Sequence, residues 1–298
     1  MAKNLATKTA HSSPMLLYNR TPQRATELAA SLTPGTAKPV PSAAELPAAV
    51  SSADIIFTIL SNDAVVESQL VSILSFGVPL TGKTFIECST IAPKTANVLA
   101  ELLTAAGAVY IAAPVFGVPA VAEAGNLVFV PAGPAAGIAA LAPYTTGVMG
   151  RAVIPFPDVA PGTALQLKLI GNACILNMVS QLAESLALAE QTDVGAAGFE
   201  QFANLIFGGV HSAYARRMTQ GTYWTMENPL FSADNAIKDG LHAVALGKSV
   251  GVELRNTETA LAYLRVVKEH AGGEKGDVAG MYGAVRQSIG LKYENDGN

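Results

Sequence analysis

Apolar positions change their rhythm halfway along the chain. In the first half, short apolar runs alternate with amphipathic stretches. Met15 to Tyr18, Asp54 to Leu60, Phe85 to Cys88, Val109 to Val115 and Leu127 to Val130 are rich in aliphatic and β-branched residues. Several are closed by polar clusters, the pattern of buried strands. Pro22 stands at a first helical position and predicts a helix to about Leu32; another helix opens near Pro93. Strands and helices alternating in units of about 30 residues predict a mostly parallel sheet covered on both faces. Ligands of such sheets bind beyond the carboxyl ends of the strands.

After Pro155-Phe156-Pro157 the strand-like runs stop. Gly162 to Glu190 predicts one long helix, interrupted only by Gly171 and apolar almost all round, which implies burial on every side. Further helices are predicted around Gly198 to Ile206, Ala233 to Val250 and Thr257 to Glu269, and the polar tail from Gly290 to Asn298 reads as loose. The pattern divides the chain into an α/β half, residues 1–157, and an all-α half, residues 158–298.

Composition narrows the setting. The 298 residues suffice for a substantial core; half are hydrophobic and only 14% are charged. A surface so poor in charge is often hidden in an oligomer, so at least a homodimer through the helical half is expected. The net charge of −4 speaks against nucleic acid as a partner. Cys88 and Cys174 have no metal-ligand spacing and read as buried thiols in a reducing compartment. No His/Asp/Glu grouping resembles a metal site. No run reaches the roughly 18 apolar residues of a membrane span, and no apolar segment follows Met1 to Ala6 as in a signal peptide. The expectation is a cytoplasmic protein with a small-molecule substrate and no membrane partner.

Two places carry chemistry. Lys168 and Asn172 are spaced i, i+4 at the start of the long apolar helix, so an ammonium and a carboxamide leave the same face. A lysine desolvated in apolar surroundings exchanges protons nearer neutrality. Taken alone, it also reads as a side chain lying along apolar surface with its charge in water. The second place is Asn19-Arg20-Thr21, between the first strand-like run and a proline-started helix. In a Rossmann unit the turn after the second strand selects the cofactor: a carboxylate bonds the NAD ribose, and an arginine accepts the 2′-phosphate of NADP. With no carboxylate nearby, Arg20 flanked by an amide and a hydroxyl suits a phosphate; a solvated loop arginine is the alternative. The first strand of such a unit, with its Gly-x-Gly-x-x-Gly turn, should lie upstream. Here Met1 to Leu5 reads as the middle of the first helix, so the Rossmann-type domain is expected to be truncated at its N-terminus.

Together these motifs resemble the β-hydroxyacid dehydrogenase family, the relatives of 3-hydroxyisobutyrate and 6-phosphogluconate dehydrogenases, along essentially the whole chain. Met1 to Leu5 is similar to the end of the family's glycine-loop motif, and Asn19-Arg20-Thr21 to the turn of NADP-preferring members. Leu60, Ser61, Val65 and Thr90 match positions that line the cofactor. Ala113-Pro114-Val115-Phe116-Gly117 and Ala122 to Leu127 resemble the substrate segment, with Phe116, Gly117 and Val118 at its centre. Gly162, Lys168 and Asn172 match the catalytic motif, in which the lysine is the general acid/base and the asparagine orients substrate. Lys238-Asp239 resembles a pair whose lysine approaches the nicotinamide. The resemblance implies an NADP(H)-dependent oxidoreductase acting on the CH–OH or carbonyl group of a small hydroxyacid, aldehyde or ketone.

The departures are informative. Phe116 stands where many members have a serine that holds the substrate carboxylate, and Val118 replaces a second glycine; both suggest a less polar or differently held substrate. Gly171 replaces a first asparagine, and the histidine of true 6-phosphogluconate dehydrogenases is missing. Imine reductases share the fold but usually carry aspartate or tyrosine in place of the lysine, so Lys168 favours carbonyl chemistry. The alternatives are an imine reductase-like enzyme, a weakly or non-catalytic protein without the phosphate-binding loop, or a longer chain in which Met1 is internal. His211, Tyr214, Arg216, Arg217 and Trp224 are candidates for the edge of a substrate cleft.

Overall fold

The computed structural model describes residues 1–10 and 12–296, in two compact units, Met1–Lys168 and Leu169–Asn298. In the first unit, α1 (Ala2–Lys8) buries Asn4, Leu5 and Ala6. β1 (Met15–Leu17) follows, then α2 (Pro22–Ala30) and β2 (Ala37–Pro39), which lies parallel to β1 with Met15 opposite Ala37. α3 (Leu46–Ser52), β3 (Ile55–Thr58), α4 (Asp63–Leu74), β4 (Thr84–Glu87), α5 (Pro93–Ala105) and β5 (Val109–Ala112) continue the alternation. β3, β4 and β5 are parallel, with Ile55 opposite Thr84 and Thr84 opposite Val109. The run from Val109 to Val115 does not form one strand. Pro114 offers no N–H to a ladder and restricts the residue before it, so β6 (Val115–Phe116) belongs to another sheet. α6 (Pro119–Glu123), β7 (Leu127–Phe129), β8 (Ala132–Gly133), α7 (Ala135–Leu141), β9 (Gly150–Val153) and β10 (Phe156–Pro157) complete the unit.

The architecture is Rossmann-like α/β, but the expected single sheet is divided. β1–β2 stands apart from β10–β8–β5–β4–β3, and β6–β7–β9 forms a third sheet. β1 and β3 each end a sheet and do not hydrogen-bond to one another. The pairs β5–β8 and β6–β7 are antiparallel. β4 and β5 are buried on both faces, as central parallel strands are. Phe85 and Tyr110 pack with Leu99 and Leu103 of α5, while Ile86 and Ile111 pack with Leu5 and Phe129.

The rest is helical. α8 (Gly162–Glu190) is followed by α9 (Gly195–Ile206), α10 (Gly209–Thr219), α11 (Thr222–Thr225), α12 (Ala233–Ser249), α13 (Arg255–Ala271) and α14 (Met281–Ser288). α8 is not buried all round. Gln166, Ile170, Cys174, Gln181, Glu184 and Leu188 form an exposed stripe at helical spacing. Cys174 is therefore exposed, contrary to the buried-thiol expectation, whereas Cys88 is buried; burial pushes the Cys88 thiol up.

The tail is not loose as far as it is described. Tyr293 is 2% exposed, Tyr223 donates its hydroxyl to the Tyr293 carbonyl, and Asn295 Nδ2 donates to the Met218 and Thr219 carbonyls at 3.0 and 2.9 Å. Gly297 and Asn298 lie outside the described residues. Among the described residues, no helix is long and apolar enough to cross a membrane.

Candidate active site

Lys168 and Asn172 sit one turn apart on α8 and are both buried, at 9% and 6% exposure. The start of α8 is fixed against α5. Gly162 donates its N–H to Asn97 Oδ1 at 2.7 Å, and a Cβ on Gly162 would lie 2.6 Å from the Pro93 carbonyl oxygen. Only glycine allows so close an approach. From this anchored turn Lys168 extends its Nζ to 4.4 Å from the centroid of the Phe116 ring, a cation–π distance.

Phe116, the last residue of β6, is half-buried and packs on the core cluster that includes Leu165. Gly117 turns the chain with φ +142°, and a Cβ there would meet the Leu127 and Val121 side chains at 2.8 Å. Val118, half-buried, precedes α6. Asn4 of α1 holds the far end of this segment, donating Nδ2 to the carbonyls of Ala122 at 2.8 Å and Glu123 at 3.1 Å.

Within the helical unit, Asn172 has a partner that spacing did not indicate. Its Nδ2 donates to Asp239 Oδ2 at 2.6 Å. Asp239 is 3% exposed, and its Oδ1 accepts from Lys238 Nζ at 2.7 Å. A carboxylate only accepts, so the amide nitrogen must face Asp239 and the Asn172 carbonyl oxygen is turned away from it. Lys238, expected near a nicotinamide, is thus tied through Asp239 to Asn172. The signal for Asp239 was its place beside Lys238 and among Ala236, Gly240 and Ala243, where an unpaired carboxylate would be costly.

The strand ends form a second constellation. After β1, Asn19 Oδ1 accepts the Thr21 N–H at 2.9 Å, an Asx-turn with Arg20 exposed at its tip. Arg24, exposed on the first turn of α2, is a second cation that was not singled out. Glu87, the last residue of β4, links two loops. It is 1% exposed and accepts from the Thr58 hydroxyl and from the Ser89 N–H at 2.6 Å. Ser89 Oγ in turn accepts the Leu60 N–H at 2.7 Å. Burial pushes the Glu87 carboxyl up, against the Ser89 and Thr58 hydrogen bonds that pull it down. Asn62 caps α4 by accepting the Val65 N–H at 3.0 Å. Asp63 accepts from the Ala92 N–H and the Thr95 hydroxyl, each at 2.8 Å. Leu60, Ser61 and Thr90 therefore lie on loops hydrogen-bonded to each other beyond β3 and β4, and Val65 lies in the first turn of α4. Leu60, Val65 and Thr90 are half-buried and Ser61 is exposed. A cationic turn could hold a phosphate, and the half-buried Leu60 and Val65 could pack against the flat rings and sugars of a dinucleotide.

The other polar candidates have duties inside the helical unit. Arg217 pairs with Asp277 and lies over the Tyr214 ring at 4.8 Å. Arg216 faces Glu200 at 3.6 Å. His211 stacks on Phe207 with ring centroids 4.9 Å apart, and Trp224 is 43% exposed. Among the described residues no group of three His, Cys, Asp or Glu side chains is placed to hold a metal ion.

Residues 1–154 match the family model described as the NAD binding domain of 6-phosphogluconate dehydrogenase. The chain is 31% identical to the NADH-dependent oxidoreductase ucdB of Aspergillus ustus, over 98% of this chain and 97% of that protein. It is 30% identical to a 3-hydroxyisobutyrate dehydrogenase of Pseudomonas aeruginosa, over 59% and 57% of the two chains. Among solved structures, the 3-hydroxyisobutyrate dehydrogenase of Mycobacterium tuberculosis with L-serine superposes with a TM-score of 0.78. The match covers 95% of this chain and 94% of that one, at 21% identity.

Proposed function

Because the chain belongs to the β-hydroxyacid dehydrogenase family of oxidoreductases, we propose that it interconverts a carbonyl and its alcohol on a small molecule with NADP(H), using Lys168 as proton donor and acceptor. The observation that carries this reading is a buried ammonium one helical turn from a buried carboxamide whose nitrogen is committed elsewhere. When bound, the nicotinamide supplies a hydride to the carbonyl carbon, or receives one in the reverse direction. Lys168 Nζ gives its proton to the carbonyl oxygen as charge develops there, and takes the hydroxyl proton in oxidation. Asn172, with Nδ2 donating to Asp239, offers Oδ1 as an acceptor for the substrate hydroxyl or for the Lys168 ammonium. The Asp239 carboxylate orients that amide and restrains Lys238.

The preference for NADP(H) is supported by the Asn19-Arg20-Thr21 turn and by Arg24, two guanidinium groups with no carboxylate between them. Leu60, Ser61, Val65 and Thr90 would line the cofactor. The Aspergillus relative is named for NADH, so both cofactors belong in the test.

Lys168→Ala should lower kcat about 100-fold or more, the scale of losing a general acid–base group, while NADPH affinity by fluorescence titration stays within about threefold. Retained turnover in that variant would reject the mechanism. A wild-type kcat/KM that is higher with NADH would reject the cofactor preference alone.

A further inference from the structure

We propose that Phe116 makes this site select uncharged aldehydes or ketones with an apolar or aromatic substituent and turn away carboxylate-bearing substrates; the inference rests on the role given above to Lys168.

A bound carboxylate needs two or three donors, or a cation, facing it. The segment from Ala113 to Val128 contains no serine, threonine, tyrosine, lysine or arginine, and its one side-chain donor is the exposed Asn126 amide, ten residues beyond Phe116. Its one ionisable side chain is Glu123, of the wrong sign. Pro119 opens α6 and removes an N–H from its first turn. Two ammonium groups border this segment: Lys8, which lies beside Gly125 at its far end and donates to the Val148 carbonyl, and Lys168, whose Nζ lies 4.4 Å from the centroid of the Phe116 ring. A carboxylate entering beside Phe116 would exchange water for an aromatic face and compete with the proton-transfer step for Lys168.

An uncharged carbonyl compound meets the same surroundings without loss. Its oxygen needs a donor, which Lys168 supplies. Its substituent gains by covering the ring, at about 25 cal/mol per Å² of apolar surface removed from water. The ring packs on the core cluster, which sets it beside the ammonium. The hydroxyacid among the expected substrates therefore drops out, and the aldehyde or ketone remains.

Benzamide and benzoate, equal in shape and different in charge, test this by saturation-transfer NMR and calorimetry on the full chain with NADPH. The wild type should bind benzamide about tenfold or more tighter than benzoate. Phe116→Ser should bring the two within about threefold, chiefly by tighter benzoate binding, and Phe116→Leu, which keeps an apolar wall, should retain the preference. Equal binding in the wild type, an unchanged ratio in Phe116→Ser, or no binding of either ligand would overturn the proposal. NADPH oxidation with benzaldehyde on the same samples reads the carbonyl chemistry separately. A benzamide preference without turnover would reject that chemistry and leave the ligand selection standing.

Discussion

At the scale of single residues, the informative groups are buried polar side chains whose partners come from distant sequence. Lys168 and Asn172 were legible because i, i+4 spacing on an apolar helix is a local property. Asp239 was not, since its bond to Asn172 spans 67 residues and only the fold creates it. Glu87 was hidden for a related reason: a single glutamate in a strand reads as a solvent-facing position until both faces prove covered. Its folded-state carboxyl is raised by burial, so the native state binds its proton more tightly than the unfolded chain does. The sign follows from linkage. The stability Glu87 contributes is full below the ordinary carboxylate pKa, falls as pH rises from there to the raised value, and stays low above it. Glu87→Gln should flatten that slope and leave a protein at least as stable as the wild type at pH 8. Urea midpoints at pH 5 and pH 8 measure it, and a wild type that gains stability over this interval relative to the variant would contradict the assignment.

Among elements, sequence periodicity found the strands that are buried and the helices that are long. It placed β1, β3, β4, β5 and β7 from short apolar runs bounded by polar turns, and α8 from its length without an internal proline. It overran the break at Pro114. It also missed β2, β8, β9 and β10, which lack an apolar run, being built of or flanked by alanine, glycine, proline and charged residues. The tail was misread because polar composition hides specific anchors such as Tyr293 and Asn295. α8 shows how an element can be recognised and its setting misjudged: the exposed stripe contains Ile170 and Leu188, at 59% and 68% exposure, so apolar character did not mean burial. What positions the chemistry on α8 is its first residue. Gly162→Ala would push a methyl group to within 2.6 Å of the Pro93 carbonyl, forcing the start of α8 away from α5. We expect a loss of about 1–3 kcal/mol of stability together with a fall in kcat larger than the change in NADPH affinity, because Lys168 lies less than two turns downstream. Denaturant unfolding and steady-state kinetics check both. Full activity in a destabilised variant would separate the anchor from the chemistry.

For the whole molecule, exposed apolar side chains occur along much of the chain, and one group of them gathers on and around α9. Phe202, Leu205, Ile206, Phe207 and Val210, on α9 and at the start of α10, are between 47% and 72% exposed, and Val194 at 62% and Leu188 at 68% are exposed at the neighbouring ends of α9 and α8. Together they expose on the order of 800 Å², the area that each partner gives to a stable interface. From Leu169 to Ala215 there is no lysine or arginine, which argues against an anionic membrane surface as the occupant, since such surfaces are held by basic side chains. A second copy of the same patch is an uncharged counterpart of matching size, and two-fold symmetry brings identical patches together at no cost in complementarity. The chain should therefore run as a dimer in light scattering at micromolar concentration. Leu205→Glu combined with Phe207→Glu should shift it to the monomer with unchanged circular dichroism, because both side chains are already exposed in the single chain. A wild type that is monomeric under these conditions, or a double variant that remains dimeric, would assign the patch to something other than self-association.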